Sequence, residues 1–274
     1  MKHNRSTTVN ITRIGAGKGF ETEEVLAVEE PLEIELEIHS STGRLRKSIA
    51  VTMRTPGADD LLAAGFLFTE GIINTEAEIS SVQQTGENKV LVQLQEGIHP
   101  SLKKTERNFY TTSSCGVCGK ASIEAIGVEL LFKIDPPAPF TTAAILHQLP
   151  AKLRRQQPVY KVTGGLHASA LFTPGGDFIA LQEDVGRHNA LDKLVGQALL
   201  GKTLPLSGSI LILSGRASFE LLQKAARAGI SIVAAVGAPS SLAVELAQET
   251  GITLVGFIKE DRMNVYSHPQ RIAV

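Results

Sequence analysis

From Pro31 to Ile38 apolar and acidic residues alternate strictly, with Leu32, Ile34, Leu36 and Ile38 set against Glu33, Glu35 and Glu37. A period of two predicts a half-buried strand. Ser40-Ser41-Thr42-Gly43 reads as its turn, and Ile49, Val51 and Met53 return as the partner strand. Pro56-Gly57 breaks that strand. Asp59-Asp60 then suits a helix start, where carboxylates meet the positive end of the dipole, and Leu61 to Phe68 form the apolar body up to Gly71. A second hairpin is expected over Val82 to Leu94, turning at Gly86-Glu87-Asn88-Lys89. Residues 1–24 are polar and are expected to be frayed at their start.

Pro136, Pro137 and Pro139 mark a boundary, dividing the chain into a β-rich region, 1–138, and a second region, 139–274. The second opens with a helical stretch, Ala143 to Gln156, interrupted or restarted at Pro150; its Lys152, Arg154 and Arg155 read as a solvated face. Regular alternation follows. Strand-like runs are Ala168–Phe172, Phe178–Gln182, Ser209–Leu213, Ile230–Val236 and Thr253–Ile258, and helix-like runs are Asn189–Leu200, Phe219–Ala228 and Leu242–Thr250. Gly229 and Gly251 stand where C-capping glycines belong. Thr173-Pro174-Gly175-Gly176-Asp177 turns the first two strands into a hairpin. The remainder reads as βαβαβαβ, a mostly parallel sheet with helices on both faces.

The chain has 274 residues, 43% hydrophobic and 20% charged, with a formal net charge of −1. This is the composition of an ordinary globular protein and argues against a polyanion-binding surface while leaving room for a local basic pocket, so no nucleic-acid partner is expected. There is no Trp, and the polar N-terminus is followed by no apolar leader. No apolar run is long enough to span a membrane. Two cysteines, too close together to staple a fold, fit a reducing compartment, and the cytoplasm is the expected location.

Those two cysteines are the chemically distinctive feature: Thr111-Thr112-Ser113-Ser114-Cys115-Gly116-Val117-Cys118-Gly119-Lys120. The spacing of Ile123, Ile126 and Leu130 predicts an amphipathic helix directly after them. A thiol at a helix start gains from unpaired N–H groups and the dipole, and Lys120 adds a positive charge, all of which favour the thiolate. Cys115 is the expected nucleophile, with Cys118 in support. Structural zinc would need two further ligands, and the seven histidines show no H-x3-5-H spacing. Thiol–disulfide exchange and sulfur carriage as a persulfide both suit the pair, beside the plain alternative of two buried, inert thiols.

Open parallel sheets bind ligands beyond the carboxyl ends of their strands. Four segments fall on that edge: Glu183-Asp184-Val185-Gly186-Arg187-His188, Ser214-Gly215-Arg216-Ala217-Ser218, Gly237-Ala238-Pro239-Ser240-Ser241 and Lys259-Glu260-Asp261-Arg262. Three run into helix N-termini, which favour anions, and Arg187, Arg216, Lys259 and Arg262 add cations. The convergence points to a phosphorylated or nucleotide-like ligand. Plainer readings stand beside it: Ser218 and Ser240 as N-caps, Asp184 paired with Arg187, Asp192 and Lys193 on an exposed helix face, and His167 lining a pocket floor.

The motifs Glu29-Glu30-Pro31-Leu32, Met53-Arg54-Thr55-Pro56-Gly57, Gly65-Phe66-Leu67-Phe68-Thr69-Glu70-Gly71-Ile72-Ile73, Ser114-Cys115-Gly116-Val117-Cys118-Gly119, Gly164-Gly165-Leu166-His167-Ala168, Glu183 to Lys193, Ser214 to Ser218 and Leu254-Val255-Gly256-Phe257 occur in order along the chain. Together they resemble the FdhD family, the formate dehydrogenase accessory sulfurtransferases, over nearly the whole length. The resemblance implies a three-layer α/β/α fold of the cytidine-deaminase type with a smaller β-rich region, and a homodimer. It implies a sulfurtransferase that takes persulfide sulfur from a cysteine desulfurase and passes it to the molybdenum (or tungsten) bis-molybdopterin guanine dinucleotide cofactor before insertion into apo formate dehydrogenase. By position, Cys115 matches the persulfide-bearing cysteine and Cys118 the second, while Phe257, Ile258, Lys259, Glu260, Asp261 and Arg262 match the cofactor-binding segment. No resident metal is implied, since the deaminase zinc signature is absent. Glu260-Asp261 stand where relatives often carry glycine or proline, and two carboxylates there should repel a phosphate unless they point away. Contact through backbone N–H groups, Lys259 and Arg262 is therefore expected. The alternatives are a thiol–disulfide oxidoreductase and a non-catalytic cofactor chaperone.

Overall fold

The computed structural model describes residues 4–40, 43–100, 102 and 128–274. Cys115 and Cys118 lie outside the described residues, as does the helix expected after them apart from Leu130, which is in irregular chain.

The chain opens with an antiparallel ribbon, β1 (Ser6–Gly15) and β2 (Lys18–Ala27), paired residue for residue from Ser6↔Ala27 to Gly15↔Lys18. The sequence reads here as polar, with no strand expected, and the start expected to fray, residues 1–3, lies outside the described residues. Both faces of the ribbon are rich in polar residues, so the burial contrast that reveals a strand in sequence is weak, and ladder hydrogen bonds hold the ribbon instead.

The alternating segment is β3 (Glu30–Ser40). Its Leu32, Ile34 and Leu36 are fully buried, while Glu33 reaches Lys89 at 2.7 Å and Glu37 reaches Arg44 at 3.3 Å. β4 (Gly43–Arg54) returns antiparallel, and β5 (Ile79–Gly86) with β6 (Lys89–Leu94) completes a sheet of order β4-β3-β6-β5, in which β3 and β6 are parallel. Helix α1 (Asp59–Thr69) lies against this sheet.

In the second half β7 (Thr141–Thr142) leads into α2 (Ala143–Arg155), which runs unbroken through Pro150. A short helix unforeseen in the sequence, α3 (Pro158–Thr163), follows. Then come β8 (His167–Phe172), β9 (Phe178–Asp184), α4 (Arg187–Leu200), β10 (Ile210–Leu213), α5 (Phe219–Arg227), β11 (Ile232–Ala235), α6 (Ser241–Thr250) and β12 (Thr253–Gly256). β13 (Asn264–Val265) closes the far edge, and β14 (Ile272–Ala273) pairs with β7. The order is β13-β12-β11-β10-β8-β9. The sheet is mixed rather than mostly parallel by pairing. β10, β11 and β12 pair in parallel, but β8 enters antiparallel between β9 and β10, and β13 is antiparallel to β12. The tight 173–177 turn forces β8 and β9 to run in opposite directions, and the crossover through α4 then has to pass β8 to reach β10.

Alternation within the central strands explains the layers. Leu211, Leu213, Val233, Ala235 and Leu254 face α4, α5 and α6, whereas Ile210, Ile212, Ile232, Ala234 and Val255 face Leu146, Leu149 and Leu153 of α2. Helices thus cover both faces, as expected. The first of these cores continues into Leu32, Ile34 and Leu36 of the four-stranded sheet by way of α1.

Helices α1 and α4 make this continuity close to backbone contact. A Cβ placed on Gly65 would stand 1.9 Å from the Asp192 carbonyl oxygen, and one on Gly196 would stand 1.9 Å from that of Leu61. Only glycine at both positions permits such an approach. Beside this contact lie Asp192 and Lys193, both fully buried, where an exposed helix face was expected. Docking of α1 on α4 buries the side of the helix that an isolated helix would leave in water.

Candidate functional site: the carboxyl edge of the mixed sheet

Because β8 is antiparallel to its neighbours, its first residue, His167, lies at the carboxyl ends of β9 and β10: His167 is opposite Asp184, and Ser169 is opposite Leu213. The loops beyond this edge are joined side by side through the backbone. Gly237 N donates to Gly215 O at 2.9 Å, Ala217 N to Ala238 O at 3.1 Å, Ser240 N to Ala217 O at 3.0 Å and Phe257 N to Gly237 O at 3.1 Å. Three of the four sequence-selected segments are therefore one continuous surface.

The fourth, 183–188, is fixed from behind by the motif Met53 to Gly57. Asp184 is fully buried and pairs with Lys193 at 2.6 Å, not with Arg187. Its two oxygens also accept from Thr55 N at 3.2 Å, Gly186 N at 2.8 Å and Asn189 Nδ2 at 3.2 Å. Lys193 Nζ donates in turn to Thr55 O at 2.8 Å, and Val185 N to Thr55 Oγ1 at 3.2 Å. Burial pulls the Lys193 ammonium below its usual range and Asp184 opposes that pull. Arg54, fully buried, holds this corner through paired bonds of 3.0 and 2.9 Å to Asp59. Nothing in the sequence assigned a supporting role to Thr55, because its partners are more than a hundred residues away.

At the front of the edge stand His167, Arg187, His188 and Ser218. His188 Nε2 lies 2.9 Å from Glu220 Oε2 and 3.5 Å from Ser218 Oγ. Ser218 occupies the N-cap position of α5 without making a side-chain cap bond, whereas Ser240 does cap α6, accepting from Ala243 N at 3.3 Å. His167 is half-buried, and a Cβ on Gly215 would come within 3.2 Å of its Nδ1. Burial, then the charges of Arg187 and His188, hold its pKa below the usual imidazole value. Arg187 Nε is buried with no hydrogen-bond partner among the described residues.

The segment 257–262 lies at the end of β12. Phe257 is 44% exposed with a φ of +53°, Ile258 is buried, and Lys259, Glu260, Asp261 and Arg262 are exposed. The amides of Phe257, Ile258 and Lys259 already donate to Gly237 O, Ala235 O and Arg262 O. These three amides are engaged within the fold. Glu260 lines a cavity of about 400 Å³ with His147, Lys152 and Arg155 of α2. His147 Nδ1 is 2.6 Å from Lys259 O. Glu260 thus shares a cavity with basic residues of α2. Among the described residues no group of three or more His, Cys, Asp or Glu side chains could hold a metal ion, and no helix is long and apolar enough to cross a membrane.

The model of the FdhD/NarQ family matches residues 27–273. The chain belongs to the FdhD/NarQ family. It is 48% identical over 272 residues to the "Sulfur carrier protein FdhD" of Mycolicibacterium paratuberculosis, covering 96% of this chain and 97% of that one. The protein of the same name from Streptomyces coelicolor is 48% identical over 274 residues, covering 96% and 94%. A crystal structure assigned as a formate dehydrogenase accessory protein from Desulfotalea psychrophila superposes with a TM-score of 0.77 at 27% identity, covering 98% of this chain and all of that one. The family model starts at Ala27, the last residue of β2.

Proposed function

We infer that the chain is a sulfur carrier serving the maturation of formate dehydrogenase, with Cys115 as the sulfur-bearing residue. The observation that carries this reading is near full-length identity of up to 48% with proteins named as sulfur carriers, in a chain whose only cysteines form one C-x-x-C pair. In the proposed reaction the Cys115 thiolate attacks the outer sulfur of a persulfide on a cysteine desulfurase. A new S–S bond forms on Cys115, the donor's S–S bond breaks, and the donor cysteine leaves as a thiolate. The protein is then a sulfurtransferase, and Cys118 either shares the sulfur or releases it by forming a disulfide with Cys115.

The proposed acceptor is the molybdenum bis-molybdopterin guanine dinucleotide cofactor, held as a substrate before insertion into the apoenzyme. The side chains of Phe257, Lys259 and Arg262 and the cavity beside α2 support this placement, offering an exposed ring and cations to an anionic dinucleotide. The same reading takes the protein as a cytoplasmic homodimer, with its helix–sheet–helix layers of the cytidine-deaminase type.

Intact-protein mass after incubation with a cysteine desulfurase and free cysteine tests the central step. The expected result is a reductant-sensitive gain of one sulfur in the wild type and in Cys118→Ala, lost in Cys115→Ala. Absence of any gain, with reversible Cys115–Cys118 oxidation intact, would favour thiol–disulfide exchange.

A further inference from the structure

Thr55 is fully buried, and its amide, carbonyl and hydroxyl all go to one place, the 184–188 segment where β9 passes into α4 and the helix side chain beneath it. The amide donates to Asp184 Oδ2 at 3.2 Å, the carbonyl accepts from Lys193 Nζ at 2.8 Å, and the hydroxyl accepts from Val185 N at 3.2 Å. Local chemistry prepares this arrangement. Pro56 restricts the residue before it to extended backbone, and a β-branched side chain is stiff about χ1. The hydroxyl is therefore aimed by residues 55 and 56 themselves. Gly57 then turns the chain away with a φ of +96°, and a Cβ there would stand 3.9 Å from Arg5 Cδ. Arg5 Nη2 donates to Glu183 O at 3.0 Å, holding the residue just before the segment.

We propose that Thr55 is a positioning residue: its hydroxyl fixes the 184–188 segment and, through it, the alignment of the loops that hold the acceptor. This rests on the reading above that a guanine dinucleotide is the acceptor. The route from Thr55 along the edge is continuous. His188, three residues after Val185, has its Nε2 2.9 Å from Glu220 Oε2 and 3.5 Å from Ser218 Oγ. Ser218 adjoins Ala217, whose amide donates to Ala238 O and whose carbonyl accepts from Ser240 N. Gly237 O in turn accepts from Phe257 N. Arg5 on Glu183, Arg187 within the segment and Arg216 in the 214–218 loop all lie along this path. The spacing of these three guanidiniums follows from where the segment is held.

The hydroxyl can be removed without dismantling the corner. In Thr55→Val the amide and carbonyl still bind Asp184 and Lys193, but Val185 N meets a methyl group and loses its acceptor. In Thr55→Ser the acceptor stays, and the lost methyl leaves a small cavity. Both changes cost stability. A role confined to stability would therefore treat the two variants alike, whereas a positioning role separates them.

The test is calorimetric titration of the full chain and both variants with guanosine diphosphate, the nucleotide part of that acceptor, beside sulfur loading measured by intact mass. Thr55→Val should weaken nucleotide binding by at least about fivefold, the size of one lost hydrogen bond, and Thr55→Ser should stay within about twofold of the wild type. Equal binding by wild type and Thr55→Val, equal weakening in Thr55→Ser, or a wild type that does not bind the nucleotide would overturn the assignment. If Thr55→Val does not fold, amide exchange on the wild type decides. By linkage the nucleotide should slow exchange of the Val185 amide, and unchanged exchange would remove the positioning role. Loading separates this from the sulfur-carrier reading. A wild type that binds nucleotide but never loads sulfur ends that reading and leaves Thr55 to the titration. A wild type that loads sulfur, while Thr55→Val binds nucleotide as tightly as it does, ends only the role of Thr55.

Discussion

Helix α5 carries a polar cluster at each end, and the two differ in how completely their atoms are partnered. At its C-terminal end Lys224 Nζ donates to Thr69 Oγ1 at 2.8 Å, Glu70 Oε1 at 3.0 Å and both oxygens of Asp192 at 2.9 and 3.0 Å. One turn on, Arg227 donates to the carbonyls of Phe68, Ile73 and Glu129 and to Asn74 Oδ1. At its N-terminal end Glu220 meets His188, but Arg187 Nε has no partner among the described residues. The saturated cluster joins α1, α4 and α5 and has no spare valence for a ligand. The unsaturated one is held equally firmly, by Asp184, Lys193 and Thr55, yet its front is unfinished. Buried polar groups tie a fold together when every member is satisfied, and an incomplete set persists where something else completes it.

The largest test of this contrast is Lys224→Met. Burial opposes the Lys224 charge, but Asp192 and Glu70 outweigh it and hold the pKa above the usual lysine range. Without the ammonium, Asp192 is a buried carboxylate with one hydroxyl partner, and urea unfolding should show a loss of roughly 3–5 kcal/mol. Replacing Asp192 by Leu in the same protein should recover much of that. A single-variant loss below about 1 kcal/mol would mean that the cluster does not bind the helices together.

Gly65→Ala comes next. The new Cβ meets the Asp192 carbonyl at 1.9 Å, and relief requires α1 and α4 to separate. Thermal and urea unfolding should report a loss of roughly 1–3 kcal/mol or more, with no such loss for alanine at the open position Gly208.

The smallest effect belongs to the unsaturated end. Burial, Arg187 and His188 hold the His167 pKa down, while the unfolded imidazole titrates near about 6.5. Between those values the unfolded chain binds a proton that the folded chain does not. Stability from this group is complete above the unfolded value and is lost as pH falls through that window to the folded pKa. His167→Gln should flatten the slope of stability against pH just below neutrality. An unchanged slope would show that His167 titrates as it does in water.

Much of the scaffold was legible in the sequence, and for local reasons. Leu32, Ile34 and Leu36 revealed β3 because one face of that strand is buried and the other is acidic. The 173–177 turn revealed the β8–β9 hairpin, and Gly229 and Gly251 revealed helix ends, both with positive φ. The β1–β2 ribbon escaped notice because its strands have no strongly buried face. The candidate edge was legible as a list of segments, but the roles within it were not. Asp184 could be paired with Arg187 on proximity in sequence; Lys193, nine residues away, takes it because α4 turns that side chain back under the loop.

The sequence alone determined the alternation of elements, the cysteine pair and the family, since each rests on local pattern or on residues in order. Tertiary structure alone decided that β8 runs against its neighbours and brings His167 to the carboxyl edge. It also decided that Asp192 and Lys193 are interior, and that Arg187 has a buried nitrogen without a partner among the described residues. Burial and pairing of these groups depend on Gly65 meeting Gly196 and on Thr55 reaching Asp184, contacts between residues more than a hundred positions apart, and no local pattern of the chain encodes them.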